Sequence, residues 1–381
     1  MSPARSKAFA ILERVGRGAF ASDLLREATD LDARDAAIAS AIVFGCLRFR
    51  AQLDFLIEKL SGRPAERLDS EVRTALRMGI YQLRCLDRVP SYAAVGESVD
   101  LVKRAGKRSA GGLVNAVLRK VNREPVTWPD RATELSIPAW MLERWERQYG
   151  TETADRIARA FLSAPETYVR VPPGQSVDST SLEPTGVLGC YRVTGEPPAG
   201  LRQQDIGSQS IVPFLDLKPG LAFLDLCAAP GNKTAQTLES GVHAVACDVS
   251  PARLAGLRPL PCDQVVLDAA RPLPFRRRFD RILLDVPCSG TGTLGRNPEI
   301  KWRVQPADFV AFHGRQVQML RNALEFLAPG GVLVYSTCSL EPEENEQVVE
   351  KVLGRFPETI LRRIPGRDPG EGFFAAVLRS G

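Results

Sequence analysis

Histidine is scarce in this 381-residue chain: only His243 and His313 occur. A catalytic triad or a zinc centre that depends on imidazole is thereby set aside, and no metal site is expected. The eight cysteines, Cys46, Cys85, Cys190, Cys227, Cys247, Cys262, Cys288 and Cys338, include no CxxC pair. Met1-Ser2-Pro3-Ala4-Arg5-Ser6-Lys7 leads into no hydrophobic signal core, and no apolar run approaches the roughly 20 residues of a membrane-spanning helix. These absences predict a cytoplasmic protein with reduced thiols and no membrane association. Internal repeats and low-complexity tracts are missing as well. What is present is ordinary: 44% hydrophobic and 25% charged residues exclude wholesale disorder, and the length suits two or three domains.

Residues 1–125 read as helical. Tyr92, Val95, Val99 and Val102 mark one apolar face at steps of three or four, and Val114, Val117, Leu118 and Val121 mark another. The net charge of +5 is unevenly spread: residues 1–128 hold 22 Lys and Arg against 15 Asp and Glu, and the remainder 28 against 30. The basic surplus therefore lies in the helical segment, where Lys103, Arg104, Lys107 and Arg108 cluster. Such a surface is either a solvated face of an ordinary bundle or a site for phosphate backbones, with salt-dependent affinity. The stretches Leu76-Arg77-Met78-Gly79-Ile80-Tyr81-Gln82-Leu83, Ala94-Val95-Gly96-Glu97-Ser98-Val99 and Gly112-Leu113-Val114-Asn115-Ala116-Val117-Leu118-Arg119-Lys120 resemble a NusB-type RNA-binding helical domain. The resemblance implies an RNA partner met by that basic cluster.

Residues 126–205 read as a small intermediate domain or ordered linker, because Pro165, Pro172, Pro173, Pro184, Pro197 and Pro198 break up any long element. Trp128, Trp140 and Trp145 near its start are expected to pack rather than to stack on bases. From about residue 219 short apolar runs alternate with helical stretches, the pattern of a parallel sheet with crossover helices. The expected strands are 222–226, 242–247, 264–267, 281–284 and 331–335. A long helix is expected from Pro306 to Leu327, stopping at Pro329-Gly330-Gly331.

Asp225, Asp248, Asp268 and Asp285 close the first four of these strands, and Cys338 follows the fifth. Ligands bind at the carboxyl edge of such sheets, so this gathering points to a site. After the first strand comes Asp225-Leu226-Cys227-Ala228-Ala229-Pro230-Gly231-Asn232-Lys233-Thr234, whose small residues let backbone approach a ligand before a helix begins. It is neither the dinucleotide fingerprint GxGxxG nor a phosphate-binding P-loop. Asp248 is positioned to accept from a ribose diol and Asp268 from an exocyclic amine. A nucleoside-bearing ligand without a long phosphate tail fits, and S-adenosylmethionine is the candidate cofactor.

Two cysteine motifs complete the pattern: Asp285-Val286-Pro287-Cys288-Ser289-Gly290-Thr291-Gly292, extended by Asn297-Pro298-Glu299-Ile300-Lys301-Trp302, and Tyr335-Ser336-Thr337-Cys338-Ser339, followed by Glu341-Pro342-Glu343-Glu344-Asn345-Glu346. With these motifs the chain resembles the RsmB/Sun (Fmu) family of RNA cytosine-5 methyltransferases over nearly its whole length. The resemblance implies an α/β fold, a Rossmann-like S-adenosylmethionine-dependent methyltransferase sheet at 206–381 preceded by the all-α NusB-like domain at 1–125. It implies Cys338 as the nucleophile, Cys288 in product release and Asp285 at the cytosine edge near N3. It also implies Cys227, Ala228, Ala229, Pro230, Gly231, Asn232, Lys233, Asp248, Asp268 and Asp285 as the cofactor site.

The chemistry accounts for the thiol. Carbon 5 of cytosine is a poor nucleophile until a thiolate adds at carbon 6. DNA cytosine-5 methyltransferases use the cysteine of a Pro-Cys motif, so spacing alone leaves open which of Cys288 and Cys338 attacks. Lys301 and Trp302, expected on a surface loop, are further candidate RNA contacts, since a target base must leave its stack and be read along its edge. The sequence departs from the family at Asn232, where glycine is commoner, and at Pro172-Pro173, where Asn is typical. Small-subunit ribosomal RNA is the first expectation for the substrate and a monomer for the enzyme. The same chemistry on tRNA, or a non-catalytic RNA-binding or antitermination factor, are the alternatives.

Overall fold

Apolar residues at helical spacing between Pro3 and Arg119 form seven α-helices, Pro3–Gly16, Ala21–Arg26, Ala33–Arg48, Arg50–Ser61, Ser70–Cys85, Ser91–Arg104 and Gly111–Arg119. Ala33–Arg48 starts where the Asp32 side chain accepts the Asp35 N–H at 2.7 Å, and Arg50–Ser61 stops at Gly62, whose φ of 68° ends a helix at little steric cost. Their inner faces share one core that includes Ile11, Ile42, Val43, Leu76, Ile80 and Val117. At roughly 25 cal/mol per Å² of apolar area removed from water, this burial rather than helix propensity stabilises the bundle.

This computed structural model describes residues 1–177, 180–356 and 359–380, and the chain divides into two compact units. One comprises residues 1–164 together with 294–303; the other comprises 165–293 and 304–381. The segment 126–205 therefore does not form a body of its own. Its first part continues the helical unit through Arg131–Glu134, Ala139–Tyr149 and Thr151–Ala160. Trp145 is fully buried there, 6.0 Å from the Phe161 ring, and Trp128 packs against the bundle core, so these indoles do pack.

The second unit opens with a four-stranded antiparallel sheet that the proline count concealed. Its strands are β1 (Tyr168–Arg170), β2 (Leu182–Pro184), β3 (Cys190–Val193) and β4 (Arg202–Gln203), in the order β2-β3-β1-β4. Of the prolines that suggested a linker, only Pro184 lies within one of these strands.

A seven-stranded sheet follows: β5 (Ala222–Asp225), β6 (His243–Asp248), β7 (Asp263–Val266), β8 (Phe279–Asp285), β9 (Leu327–Thr337), β10 (Thr359–Arg363) and β11 (Phe373–Arg379), in the order β10-β11-β9-β8-β5-β6-β7. Strands β5 to β9 are parallel neighbours, as read from the sequence, but β11 runs antiparallel to β9 and β10 to β11. The sheet is thus mixed, its far edge closed by a reversed pair. The helix Pro306–Glu325 begins with Pro306 at its first position and a reciprocal cap between Gln305 and Asp308. Strand β9 then starts at Leu327, earlier than the glycines suggested.

Candidate active site

Chain order in the large sheet reverses at β5, with β6 and β7 on one side and β8 and β9 on the other. A crevice opens at the carboxyl ends beside such a reversal. Asp225, Asp248 and Asp285 are the last residues of β5, β6 and β8; Asp268 comes two residues after β7, and Cys338 directly after β9. A cleft of about 200 Å³ is lined by Cys227, Ala229, Asp248, Asp268, Asp285, Cys288 and Cys338. Residues spread over more than a hundred positions meet there because parallel strands share one carboxyl edge.

The loop after β5 is held from several sides. Asp225 is buried and accepts the Thr234 hydroxyl at 2.7 Å; burial pushes its carboxyl up to about 7. Gly231 has φ of 101°, and a Cβ there would lie 2.7 Å from Leu257, so glycine permits both the turn into the helix Asn232–Leu238 and the packing. Asp248, 4% exposed, accepts the backbone N–H of Ala229 at 3.3 Å and of Ser250 at 2.9 Å. Asp268 accepts the Ala270 N–H at 3.0 Å and pairs with Arg315 at 3.2 Å. Cys227 lines the cleft with a thiol that burial holds far above its ordinary range. Asn232 turns away from the cleft and donates its amide to the Gln203 carbonyl at 3.1 Å.

At the other side of the cleft the Cys288 and Cys338 sulfurs lie 3.4 Å apart. The backbones of the two loops are also joined, Gly292 N–H donating to the Cys338 carbonyl at 2.9 Å. A Cβ on Gly292 would stand 2.7 Å from that oxygen, so only glycine lets the loops lie this close. The hydrogen bond with Cys338, then burial, pushes the Cys288 thiol well up. Asp285 receives the Lys233 ammonium on one oxygen and the Ser336 hydroxyl on the other, both at 2.7 Å. Burial opposes the Lys233 charge, but the Asp285 charge and hydrogen bond outweigh it, and the ammonium is held above its ordinary range.

Beneath the thiols lies Glu344, fully buried, a residue the sequence reading left without a role. It accepts the Ser289 N–H at 2.7 Å, the hydroxyls of Ser289 and Ser339, and the Gln316 amide at 3.3 Å. It thus ties the residue after Cys288 to the residue after Cys338. Burial raises its carboxyl despite these donors. The signal was the acidic run beginning at Glu341, directly after the Thr-Cys-Ser motif.

The remaining candidates are not at this cleft. Lys301 is 2% exposed and donates to the Arg48 carbonyl at 2.9 Å, while Trp302 Nε1 donates to the Leu47 carbonyl at 2.9 Å. The surface loop expected for them is instead the segment 294–303 packed within the helical unit, and Lys301 has no exposed ammonium to offer RNA. Burial also depresses Lys301 to about 7. Lys103, Arg104 and Arg108 are exposed, whereas Lys107 is paired with Asp69 at 2.9 Å.

Comparison with known proteins bears on both units. The family model for 16S rRNA methyltransferase RsmB/F matches residues 212–371, and the NusB family model matches residues 2–123. Ribosomal RNA small subunit methyltransferase B of Citrobacter koseri is 32% identical over 390 residues, covering 91% of each chain. The crystal structure of a methyltransferase homologue from Pyrococcus horikoshii aligns over 67% of this chain and 100% of its own, with TM-score 0.57 and 28% identity. The crystal structure of PH0851 shares the fold over 98% of both chains, with TM-score 0.80 and 22% identity. The chain belongs to the RsmB/F family of methyltransferases, with a NusB-type helical domain ahead of its Rossmann-like catalytic sheet.

Proposed function

We propose that this methyltransferase modifies carbon 5 of a cytosine in RNA, with Cys338 as the nucleophile. Its curated relatives are named for small-subunit ribosomal RNA, and we take that RNA as the substrate and the cytoplasm as the place of action. The observation that carries the reading is the pair of sulfurs 3.4 Å apart at one end of a cleft whose other end presents Asp248 and the loop after β5.

S-adenosylmethionine, when bound, supplies an electrophilic methyl group. The residues present fit it. Asp248 is a buried carboxylate at the end of β6, suited to a ribose diol, and Gly231 leaves the backbone room to approach a ligand. The side chain of Asn232 belongs to the four-stranded sheet rather than to the cofactor, which explains how asparagine replaces glycine at this position.

Cys338 adds to carbon 6 of the cytosine and breaks the ring's conjugation, turning carbon 5 into an enamine-like nucleophile. Cys288 lies 3.4 Å from the Cys338 sulfur, close enough to exchange a proton with it. Asp285, with Lys233 bonded to it and its side chain lining the cleft, is assigned to hold the N3 edge of the base and share a proton with it. Carbon 5 then takes the methyl group, its proton passes to water, and elimination breaks the bond to carbon 6 and expels Cys338 as a thiolate, which Cys288 assists by supplying a proton.

Trapping tests this directly. Cys288→Ala incubated with RNA and S-adenosylmethionine should accumulate an RNA–protein adduct stable to denaturing electrophoresis, and the Cys288→Ala/Cys338→Ala double variant should accumulate none. Methyl incorporation by Cys338→Ala should fall by about four orders of magnitude or more. An adduct in Cys338→Ala that is missing from Cys288→Ala would reverse the assignment of the thiols, and one in the double variant would refute both as the nucleophile. Bisulfite sequencing of cellular RNA with and without the gene identifies the nucleotide, and an unchanged map would refute the reaction itself.

A further inference from the structure

Within the helical unit, a second cavity of about 250 Å³ is bounded by Arg50, Arg77 and Arg303, with Trp302 and Glu299 on one wall and Leu47 on another. Three guanidiniums around one small space repel each other unless an anion is present, and their partners here are unequal. Arg77 forms a two-pronged pair with Asp54, both N···O distances being 2.6 Å, so both oxygens of that carboxylate are taken. Arg303 donates to the carbonyls of Val15, Gly18 and Ala19. Arg50 reaches Asp54 only at 3.9 Å, and among the described residues its guanidinium makes no hydrogen bond.

Arg50 is nonetheless held in place. It begins the helix Arg50–Ser61, and its guanidinium lies 5.2 Å from the centre of the Trp302 ring, a cation–π contact that fixes the plane of the fork without using its N–H donors. Burial and the neighbouring Arg77 push its pKa down to about 10, and the distant contact with Asp54 opposes this only in part. The lining acid, Glu299, does not supply one. It is bound to the Ala21 N–H at 2.8 Å, and burial raises its carboxyl toward the neutral form.

We infer that this cavity is a phosphate-binding subsite for the RNA strand, in which Arg50, oriented by Trp302, meets a phosphodiester oxygen with its unused N–H donors. The inference rests on the RNA substrate proposed above. A guanidinium fork matches two phosphate oxygens, whereas a lysine presents a single point charge. An apolar wall beside the arginine suits a nucleoside better than a free phosphate. The segment carrying Trp302 and Glu299 starts at Leu294, six residues after Cys288, so one stretch of chain supplies both the release thiol and the wall of this cavity. Docking is thereby assigned to a built pocket rather than to the exposed cluster around Lys103.

The test is a salt titration with the full chain and a fluorescein-labelled 12-nucleotide single-stranded RNA. Each phosphate contact contributes about 0.7 to the slope of log affinity against log salt concentration. Arg50→Gln should lower that slope by about 0.7 and weaken binding roughly 5- to 20-fold at low salt. Arg50→Lys should keep the slope and recover part of the affinity. Arg104→Gln, which removes the same charge from an exposed site, should change neither by more than about twofold. An unperturbed slope in Arg50→Gln, an equal loss in Arg104→Gln, or a loss in Arg50→Lys matching that in Arg50→Gln would each overturn the subsite. Absence of any RNA binding by the wild-type protein would instead refute the RNA substrate. Retained S-adenosylmethionine binding and an unchanged melting temperature in Arg50→Gln exclude misfolding as the cause.

Discussion

Lys301 is buried in the helical unit and Lys233 is largely shielded in the catalytic unit, and the two lysines behave oppositely. In the helical unit Lys301 donates to the neutral carbonyl of Arg48, and burial pulls its pKa down to about 7. In the catalytic unit Lys233 meets the Asp285 carboxylate at 2.7 Å, which outweighs burial and keeps the ammonium charged. Burial is common to both; the partner decides. Lys301 is therefore a structural peg that can shed its charge. Lys233 is a fixed cation beside Asp285, the residue proposed to meet the base. The wider composition follows the same division. The helical unit holds 30 Lys and Arg against 22 Asp and Glu, and the catalytic unit 20 against 23. The helical unit thus carries a surplus of cations, whereas the catalytic cleft holds few charges, and those in fixed pairs.

Removing each lysine tests that contrast. The largest effect is expected from Lys233→Met, which leaves Asp285 without its cation. Turnover should fall by about two to three orders of magnitude, with RNA affinity little changed. Loss of RNA binding with turnover per bound RNA preserved would show that Lys233 is a docking residue after all. Glu344→Ala should come next. It frees the two thiol loops from each other, so kcat should drop by roughly 10- to 100-fold while the KM for RNA stays near wild type, with Glu344→Gln intermediate. A change confined to KM would deny Glu344 its role in setting the spacing of the thiols.

The smallest effect is expected from Lys301→Met, and it should appear in stability rather than activity. The folded-state pKa lies below the ordinary 10.5, so the unfolded chain binds more protons between about pH 7 and 10.5. This group's contribution is complete above 10.5 and is lost as the pH falls toward 7. Raising the pH should thus favour wild type over Lys301→Met, by at most about 1.4 kcal/mol per pH unit. Denaturant melts of both proteins at pH 7.5 and 9.5 measure the difference; a constant gap between them would mean that Lys301 is not buried as a neutral amine.

Much of the fold could be read in advance where local chemistry and global structure agree. The strands ending at Asp225, Asp248 and Asp285 stand within a few residues of their expected positions, because short apolar runs bounded by turn residues have few other solutions. The four-stranded sheet was not legible. Its strands are only two to four residues long, too short for any period to establish itself. Nor was the division near residue 164. The apolar face of Ala139–Tyr149 shows that a partner exists without naming which core it joins.

The active site divides in the same way. Cys338, Cys288 and Asp285 carry their chemistry in short motifs that survive in one dimension. Glu344 was hidden because its role depends on Ser289, which reaches it only through the fold. Lys301 and Trp302 were misread for a related reason: a charged and an aromatic residue after a loop look exposed until a neighbouring core covers them.

By itself the sequence determined which residue types are available: two histidines, paired cysteine motifs, aspartates at strand ends, and a basic surplus toward the N-terminus. Only the tertiary structure decided which of those groups meet. It set two sulfurs 3.4 Å apart, gave Lys233 a carboxylate and Lys301 a carbonyl, and left Arg50 beside an acid already claimed by Arg77. Hydrogen bonds and ion pairs act over a few ångströms, and proximity on that scale arises from folding rather than from order along the chain.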